Sequence, residues 1–222
     1  MKKMKKGFFY ALFVVILFSS CSKQTALFNG KDLKGWYTYN ETDKKQLFPK
    51  QFFAVSDSMI RLYGEKPGYL MTEKSYNNFD LTLEFRWNTE QKFFRNNNVK
   101  NSGVMYNIPD NAPDILWPRG IQFQIKQGFT GDFVLLDSVT LKVRGETKPA
   151  GKSVAVARDK DNENAVGTWN KLKIISKDGN CWQYLNGILV NEGTNSSTKR
   201  GRILLQYEGS PIDFRRIVLK RH

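Results

Sequence analysis

Polar side chains occupy alternate positions in three separated segments of the chain, and their types could do chemistry. Apolar residues fill the positions between them, so each segment, if extended, has one polar and one apolar face. The polar set comprises Glu84 and Arg86, then Gln122, Gln124 and Lys126, and finally Gln206 and Glu208. Amides, cations and carboxylates, about 7 Å apart along each strand, provide the fixed donors and acceptors that bind sugars. We predict a carbohydrate site where the three segments meet.

Simpler interpretations of these residues remain open. Glu84 and Arg86 could form an ion pair on the protein surface, and Lys126 could be a solvent-exposed lysine. Aromatic side chains that could stack on a sugar ring are also present, although each of them taken alone is more typical of the core. They are Trp36, Tyr106, Trp117 and Phe129.

The same alternation predicts the elements that carry the polar residues. Residues 80–87 read DLTLEFRW, and residues 121–126 and 202–208 share this period of two, which is typical of half-buried strands. Turn signals recur between apolar runs, and Asn186-Gly187 favours a tight hairpin. Helical periodicity does not extend beyond a turn or two. The sequence predicts an all-β fold, an antiparallel two-sheet sandwich that forms one domain over residues 26–222.

The start of the chain has the features of an export signal. Residues 1–6 contain four lysines, and residues 8–18 form an apolar run. That run is too short to cross a bilayer, which needs about 20 residues. We predict a signal peptide over residues 1–20.

Cys21 follows two small residues, an arrangement that resembles the acylation site of bacterial lipoproteins. Phe18 stands where such signals usually have leucine. We predict that Cys21 carries a lipid, that residues 21–25 form a tether, and that the membrane is therefore a partner through this anchor. The expected location is the bacterial cell envelope, as an outer-membrane lipoprotein. The alternative is a plain secreted protein that is cut near Ser20.

Composition excludes several classes of site. Cys181 would be the only cysteine besides Cys21, so the mature chain cannot contain a disulfide framework. The single histidine is the terminal His222, which excludes histidine-based triads and metal sites. Loss of the four lysines of the signal would lower the net charge from +14 to +10. The remaining lysines and arginines are scattered and form no nucleic-acid motif, so we expect no nucleic-acid partner.

Several pieces of the chain, in their order and spacing, resemble the 3-keto-disaccharide hydrolase domain family. They include FNGKDLKGW at residues 28–36, FDLTLEFR at 79–86, NSGV at 101–104, GIQFQI at 120–125 and GRILLQYEGSPIDFRRI at 201–217. The resemblance implies a concanavalin-like jelly roll. It also implies that the family's polar positions correspond to Glu84, Arg86, Asn101, Gln124, Gln206 and Arg215. The chain departs from the common pattern at Gln122, where a glutamate is frequent, and at Tyr207-Glu208, which replaces an Asp-His pair.

The resemblance implies a particular reaction. A ketone at carbon 3 of a sugar acidifies the proton on carbon 2, and a carboxylate can remove that proton and expel the glycosidic oxygen. We expect Glu208 or Glu84 to be the base and the other to protonate the leaving group, with Arg86 or Lys126 stabilising the enolate. Asn101, Gln122, Gln124, Lys126, Arg86 and Gln206 are the expected substrate-binding residues. No cofactor is certain, although a divalent cation is possible and no ligand set can be assembled from the sequence.

A second function is compatible with the same residues. The concanavalin-like fold supports lectins as well as enzymes, and Gln122 in place of a carboxylate favours a non-catalytic carbohydrate-binding lipoprotein.

Overall fold

The structure is a computed structural model that describes residues 24–46, 53–64, 66–90, 92 and 99–222. Every regular element in these residues is a β-strand. The strands are β1 Gln24–Ala26, β2 Trp36–Asn40, β3 Lys44–Gln46, β4 Phe53–Ser56, β5 Met59–Leu62, β6 Gly68–Thr72, β7 Tyr76–Asn77, β8 Phe79–Trp87, β9 Asn101–Ile108, β10 Gly120–Lys126, β11 Phe133–Leu136, β12 Lys142–Val143, β13 Glu146–Thr147, β14 Ser153–Val156, β15 Asn170–Lys177, β16 Asn180–Leu185, β17 Ile188–Gly193, β18 Arg200–Tyr207 and β19 Ile212–Arg221.

Two large antiparallel sheets contain most of these strands. Sheet A has the order β17-β16-β15-β8-β19-β5-β4, with β1 also paired to β19. Sheet B has the order β14-β11-β10-β9-β18-β6-β2-β3, with β7 also paired to β18. The hairpin β12-β13 belongs to neither sheet, and Lys142 of this hairpin exchanges two backbone hydrogen bonds with Thr194, which directly follows β17. The predicted all-β sandwich of two antiparallel sheets is therefore confirmed.

The core lies between the two sheets and is built from the apolar face of each alternating strand. From sheet A, Leu81, Leu83 and Phe85 are almost completely buried there. From sheet B, the matching residues of β10 and β18 pack against them: Ile121, Phe123, Ile125, Ile203, Leu205 and Tyr207. Because successive side chains of a strand point to opposite faces, the polar residues between them lie on the outer faces of the sandwich.

The turns follow the chemistry of their residues. Asn186 and Gly187 have φ angles of 49° and 85°, and they join β16 to β17 with Leu185 paired to Ile188. Glycine and asparagine tolerate this left-handed backbone, so the predicted tight hairpin is present. Cys181 is a free, buried thiol, and burial raises its pKa to about 12. It therefore packs as a small apolar side chain.

The outer face of sheet B is partly covered by the loop of residues 109–119, between β9 and β10. Ala112, Leu116 and Trp117 of this loop pack on a second apolar cluster that includes Tyr37, Tyr69 and Met105. The covering loop stops short of the ends of β10 and β18, and a pocket remains open there.

No helix in the described residues is long and apolar enough to cross a membrane. The predicted signal peptide and the predicted lipidation site Cys21 lie outside the described residues.

Candidate functional site

The floor of the pocket is formed where three strands of sheet B run side by side. Gly103 on β9 is paired with Gln124 on β10 and with Gln206 on β18. Because Gly103 has no side chain, a depression lies between the two amides. The Gln122 side chain occupies part of this space, since a Cβ atom on Gly103 would lie 2.5 Å from Gln122 Nε2. Gln122 Nε2 in turn donates a hydrogen bond to Gln124 Oε1.

One end of the pocket holds a carboxylate among amides. Glu208 follows the last residue of β18, and Asn101 begins β9 beside it. Asn101 Nδ2 and Gln206 Nε2 both donate hydrogen bonds to Glu208 Oε2, the second over 3.2 Å. Burial raises the pKa of the Glu208 carboxyl above its usual value, although the Asn101 hydrogen bond and the nearby Lys126 ammonium oppose this shift. The raised pKa makes Glu208 a better proton acceptor than an ordinary exposed glutamate.

Two amide oxygens at this end have no hydrogen-bond partner among the described residues. Asn101 Oδ1 and Gln206 Oε1 are buried, and neither accepts a hydrogen bond in the described part of the chain. Unsatisfied buried acceptors cost roughly 1–3 kcal/mol each, so they are retained where a ligand or water donates to them. Hydroxyl groups of a sugar are suitable donors.

The opposite end and one side of the pocket are less polar. The pocket has a volume of about 150 Å³. Its lining combines the polar residues of β9, β10 and β18 with residues from the covering loop, β11 and β14. They are Asn101, Trp117, Gln122, Gln124, Val134, Leu136, Ser153, Gln206 and Glu208. Of the aromatic residues considered for sugar stacking, Trp117 lines the pocket, whereas Trp36 and Tyr106 are buried in the core.

A network around Asp114 holds the covering loop, and with it Trp117, in place. Tyr37 and Tyr69 on the outer face of sheet B each donate a hydrogen bond to Asp114 Oδ1, over 2.6 and 3.2 Å. Arg202 donates to the Tyr37 hydroxyl over 2.5 Å and to the carbonyl oxygen of Ala112 over 3.0 Å. These charge-assisted and mostly half-buried contacts fix one wall of the pocket.

Glu84 and Arg86 do not join this site, so the expectation that three segments converge is wrong for residues 80–87. They lie on β8, which belongs to sheet A between β15 and β19. Their neighbours Leu83 and Phe85 point into the core, so Glu84 and Arg86 point to the outer face of sheet A, on the opposite side of the sandwich. Alternation predicts which side chains point outward from a strand, but it does not indicate to which sheet the strand belongs.

On that face Glu84 and Arg86 form ion pairs, as the simpler interpretation held. Glu84 accepts hydrogen bonds from Arg215 Nε over 2.6 Å and from Arg216 Nη1 over 2.9 Å. Burial alone would raise the pKa of the Glu84 carboxyl, but these two guanidinium groups outweigh it and hold that pKa below its usual range. Arg86 Nε lies 2.9 Å from Asp213 Oδ2. A carboxylate paired in this way is a poor base near neutral pH.

The other predicted site residues belong to sheet B. Asn101, Gln122, Gln124, Gln206 and Glu208 line the pocket together. Lys126 is paired with Asn101 and lies beyond the end of the pocket. It is the first residue after Gln124 whose side chain points from the same face of β10. Arg215, which the resemblance mapped to a polar position, lies instead on sheet A with Glu84, and its guanidinium carbon lies 3.7 Å from the centre of the Trp169 ring.

Sequence reasoning missed the contributions of Gly103, Ser153 and the apolar wall. Gly103 carries a signal in hindsight, because it is the single glycine of β9 and lies opposite Gln124 and Gln206. Val134, Leu136 and Ser153 reach the pocket through pairing of β10 with β11 and of β11 with β14. Such long-range pairing leaves no mark on the local sequence.

The described residues contain no group of three or more histidine, cysteine, aspartate or glutamate side chains that could hold a metal ion. Among the described residues that line the pocket, Glu208 is the single carboxylate. Calcium and magnesium sites normally draw on several carboxylate or carbonyl oxygens. The described residues that line the pocket therefore do not fit a divalent cation.

Comparison with known proteins identifies relatives of the fold. A provisionally assigned glycosyl hydrolase from Parabacteroides distasonis superposes with a TM-score of 0.63 at 20% identity, covering 90% of this chain and 94% of that one. The carbohydrate binding module CBM66 from Bacillus subtilis superposes with a TM-score of 0.58 at 13% identity, covering 84% of this chain and 95% of that one. The β-glucanase of Bacillus licheniformis superposes with a TM-score of 0.55 at 11% identity, covering 92% of this chain and 99% of that one. At these identities the likeness concerns the fold alone.

No curated protein matches the sequence. The sequence model of one family, however, matches residues 23–220, which is nearly the whole chain. The predicted resemblance is thereby confirmed, and the chain belongs to the 3-keto-alpha-glucoside-1,2-lyase-like domain family.

Proposed function

We propose that this protein cleaves 3-keto-glycosides by elimination, with Glu208 as the base. The observation that carries the proposal is the position of Glu208, a carboxyl of raised pKa at the end of a pocket lined with amides. Membership of a 3-keto-alpha-glucoside-1,2-lyase-like family supports this chemistry for a pocket with one carboxylate. Ordinary glycosidases need two carboxyl groups on opposite sides of the scissile bond, and the described lining of this pocket contains one.

The proposed reaction begins at carbon 2 of the bound sugar. Glu208 takes the proton, and the electron pair of the C–H bond enters an enolate that spans carbon 2, carbon 3 and the ketone oxygen. Collapse of the enolate restores the ketone, forms a double bond between carbons 1 and 2 and breaks the bond to the glycosidic oxygen. The protonated Glu208 returns its proton to that oxygen. Addition of water to the double bond then yields the free 3-keto sugar.

The amides of the pocket supply binding and charge stabilisation in this scheme. Asn101 Oδ1 and Gln206 Oε1 accept hydrogen bonds from sugar hydroxyl groups. The side-chain N–H groups of Gln122 and Gln124 that are not used in their mutual hydrogen bond are available to the enolate oxygen. Lys126 is not among the residues that line the pocket, but its charge acts on Glu208, and we assign it the stabilisation of the leaving oxygen. This replaces the expected roles of Arg86 and Glu84, which lie on sheet A.

The proposal is tested with a 3-keto-α-glucoside and its unoxidised parent, each carrying the same chromogenic aglycone. The purified protein should release the aglycone from the keto compound alone, because only the ketone acidifies the proton on carbon 2. Equal release from both compounds would indicate ordinary glycosidase chemistry and contradict the proposal. Absence of release from both, with retained sugar binding, would favour the non-catalytic alternative.

On the acid side of the pH profile, kcat/KM should follow the ionisation of the Glu208 carboxyl. The base must be ionised, so kcat/KM should rise with pH as the raised pKa of Glu208 is passed. The Lys126 ammonium favours the ionised form. Lys126→Met should therefore raise the pKa of Glu208 further and move this rise to higher pH, whereas Lys126→Arg should leave it in place. A rise that shifts to lower pH in Lys126→Met would contradict this electrostatic coupling.

A carbohydrate-binding protein without catalysis remains the second candidate. The amide-rich lining favours it, because Gln122, Gln124 and Gln206 bind sugars without doing chemistry. CBM66 has a related fold. The aglycone-release assay separates the two functions.

We also propose that the protein is a lipoprotein anchored in the bacterial outer membrane through Cys21. In cells fed a labelled fatty acid, the wild-type protein should incorporate label and sediment with membranes. Cys21→Ser removes the only thiol at the predicted cleavage point and should abolish both the label and sedimentation. Cys181→Ser is the matched control, and it should remain labelled because Cys181 is buried in the core. Label that persists in Cys21→Ser would exclude this anchor.

A further inference from the structure

A second pocket lies on the outer face of sheet A, across the sandwich from the pocket that contains Glu208. Its volume is about 270 Å³. Thr82 on β8 lies in the middle of its floor, because it is paired with Lys173 on β15 and with Val218 on β19. Residues that are directly opposite each other in a sheet point to the same face. Thr82 and Val218 are short, so a depression remains between the longer side chains around them.

Lysines surround this depression, which we call the basic pocket. Lys171 and Lys173 project from β15 and Lys220 from β19, and all three line it. Asp80 is the single carboxylate among the described lining residues, and it forms an ion pair with Lys173 over 2.9 Å. Three lysines and one aspartate give the described lining a net charge of +2. Lys171 and Lys220 have no ion-pair partner among the described residues, so their ammonium groups are free to bind an anion.

The described chain begins at the basic pocket. Gln24, the first residue of β1, lines this pocket and is paired with Lys220. Cys21, the proposed site of lipid attachment, precedes Gln24 by three residues, which span at most about 11 Å. A lipid on Cys21 would therefore hold the outer face of sheet A, rather than the face that carries Glu208, close to the membrane.

Two aromatic side chains extend the same face of sheet A. Trp182 and Tyr184 on β16 alternate with buried residues, so they point outward, and both are half-buried. Tyr184 is paired with Lys173, which lines the basic pocket. Tryptophan and tyrosine are enriched at the level of lipid headgroups, where an aromatic ring meets both an apolar and a wet environment. The composition of this face is therefore suited to a membrane surface.

We propose that the basic pocket binds the phosphate groups of anionic phospholipids and docks sheet A on the membrane. The proposal rests on the lipid anchor at Cys21 that is proposed above. Phosphate oxygens accept charge-assisted hydrogen bonds from the ammonium groups of Lys171 and Lys220. A basic patch beside an acyl chain makes membrane attachment more stable than the chain alone. In this orientation the pocket that contains Glu208 opens away from the membrane, toward dissolved carbohydrate.

Vesicle binding tests the surface without the lipid. The chain of residues 22–222 contains every described strand and the described core, so it keeps the fold without Cys21. It should sediment with vesicles of phosphatidylglycerol and phosphatidylethanolamine but not with vesicles of phosphatidylcholine. Lys171→Gln combined with Lys220→Gln should weaken binding to the anionic vesicles about 30-fold, about fivefold for each charge. Equal binding to both kinds of vesicle, or binding to neither, would overturn the proposal.

A matched pair of lysines separates this surface from net charge alone. Lys44 on β3 and Lys74 after β6 are exposed residues of sheet B and its turns, and they line neither pocket. Lys44→Gln combined with Lys74→Gln changes the net charge by the same amount and should leave vesicle binding within about twofold. Equal losses in the two double variants would show that the whole protein charge drives binding, which would overturn the basic pocket as its site.

Competition by phosphate distinguishes the membrane from the free ion. Sodium phosphate should weaken vesicle binding no more than sodium chloride of the same ionic strength. Selective competition by phosphate would identify a site for the free ion and overturn docking on the membrane. Both double variants should release the aglycone from a 3-keto-glucoside as the unsubstituted chain does, since neither changes the pocket that contains Glu208. Vesicle binding is therefore decided whether or not the protein cleaves such a substrate.

Discussion

Replacing Glu208 with glutamine is expected to lower kcat/KM for a 3-keto-glucoside by about 10²–10⁴-fold, the range for loss of a general base. Glutamine has nearly the same shape but cannot accept the proton from carbon 2. Glu208 is the single carboxylate among the described residues that line the pocket, so none of these residues can replace it. The measurement is steady-state aglycone release at a pH on the plateau of the wild-type profile.

The matched control is Glu84→Gln, which removes a carboxylate from the outer face of sheet A. Its activity should stay within about twofold of wild type, since Glu84 is paired with Arg215 and Arg216 and lies across the sandwich from the pocket. Binding of an unoxidised sugar to Glu208→Gln verifies that its pocket is intact. The assignment of the base would fail if Glu208→Gln kept full activity, or if Glu84→Gln lost as much.

The second large effect concerns stability and a buried carboxylate of sheet A. The Asp213 side chain is 0% exposed. It accepts hydrogen bonds from Arg86 Nε over 2.9 Å and from Asn88 Nδ2 over 3.1 Å, and Arg61 Nε lies 3.9 Å away. Asp213→Ala should lower the free energy of unfolding by about 3 kcal/mol, because Arg86 loses its buried counter-ion and Asn88 loses this acceptor, whereas Arg61 keeps its ion pairs with Asp57 and Glu90. Urea unfolding provides the measurement, with a lower midpoint at an unchanged slope.

An exposed pair provides the comparison for Asp213. Arg144 and Asp159 lie 2.6 Å apart, but both side chains are about half exposed. Asp159→Ala should cost less than about 1 kcal/mol, since solvent screens such a pair. If the two substitutions cost the same, the buried carboxylate would not have the structural role assigned to it here.

The local pattern of the sequence was sufficient for the fold class and for several site residues. Alternation in residues 80–87, 121–126 and 202–208 follows directly from burying one face of a strand, and strands β8, β10 and β18 have the predicted orientation. The Asn186-Gly187 hairpin likewise follows from local sequence, because both residues tolerate the positive φ angles that the turn requires. Gln122, Gln124, Gln206 and Glu208 were identified in the same way, as polar residues between apolar ones.

Only the tertiary structure decided which of these polar faces meet. Glu84 and Gln124 have the same kind of local pattern, but β8 pairs with β15 and β19, whereas β10 pairs with β9 and β11. Strand pairing joins residues far apart in the chain, so the amino acids around Glu84 contain no information about which sheet it joins. The residues themselves determined that their side chains point outward, and the pairing of distant strands determined that Glu208 lies in a pocket while Glu84 lies among arginines.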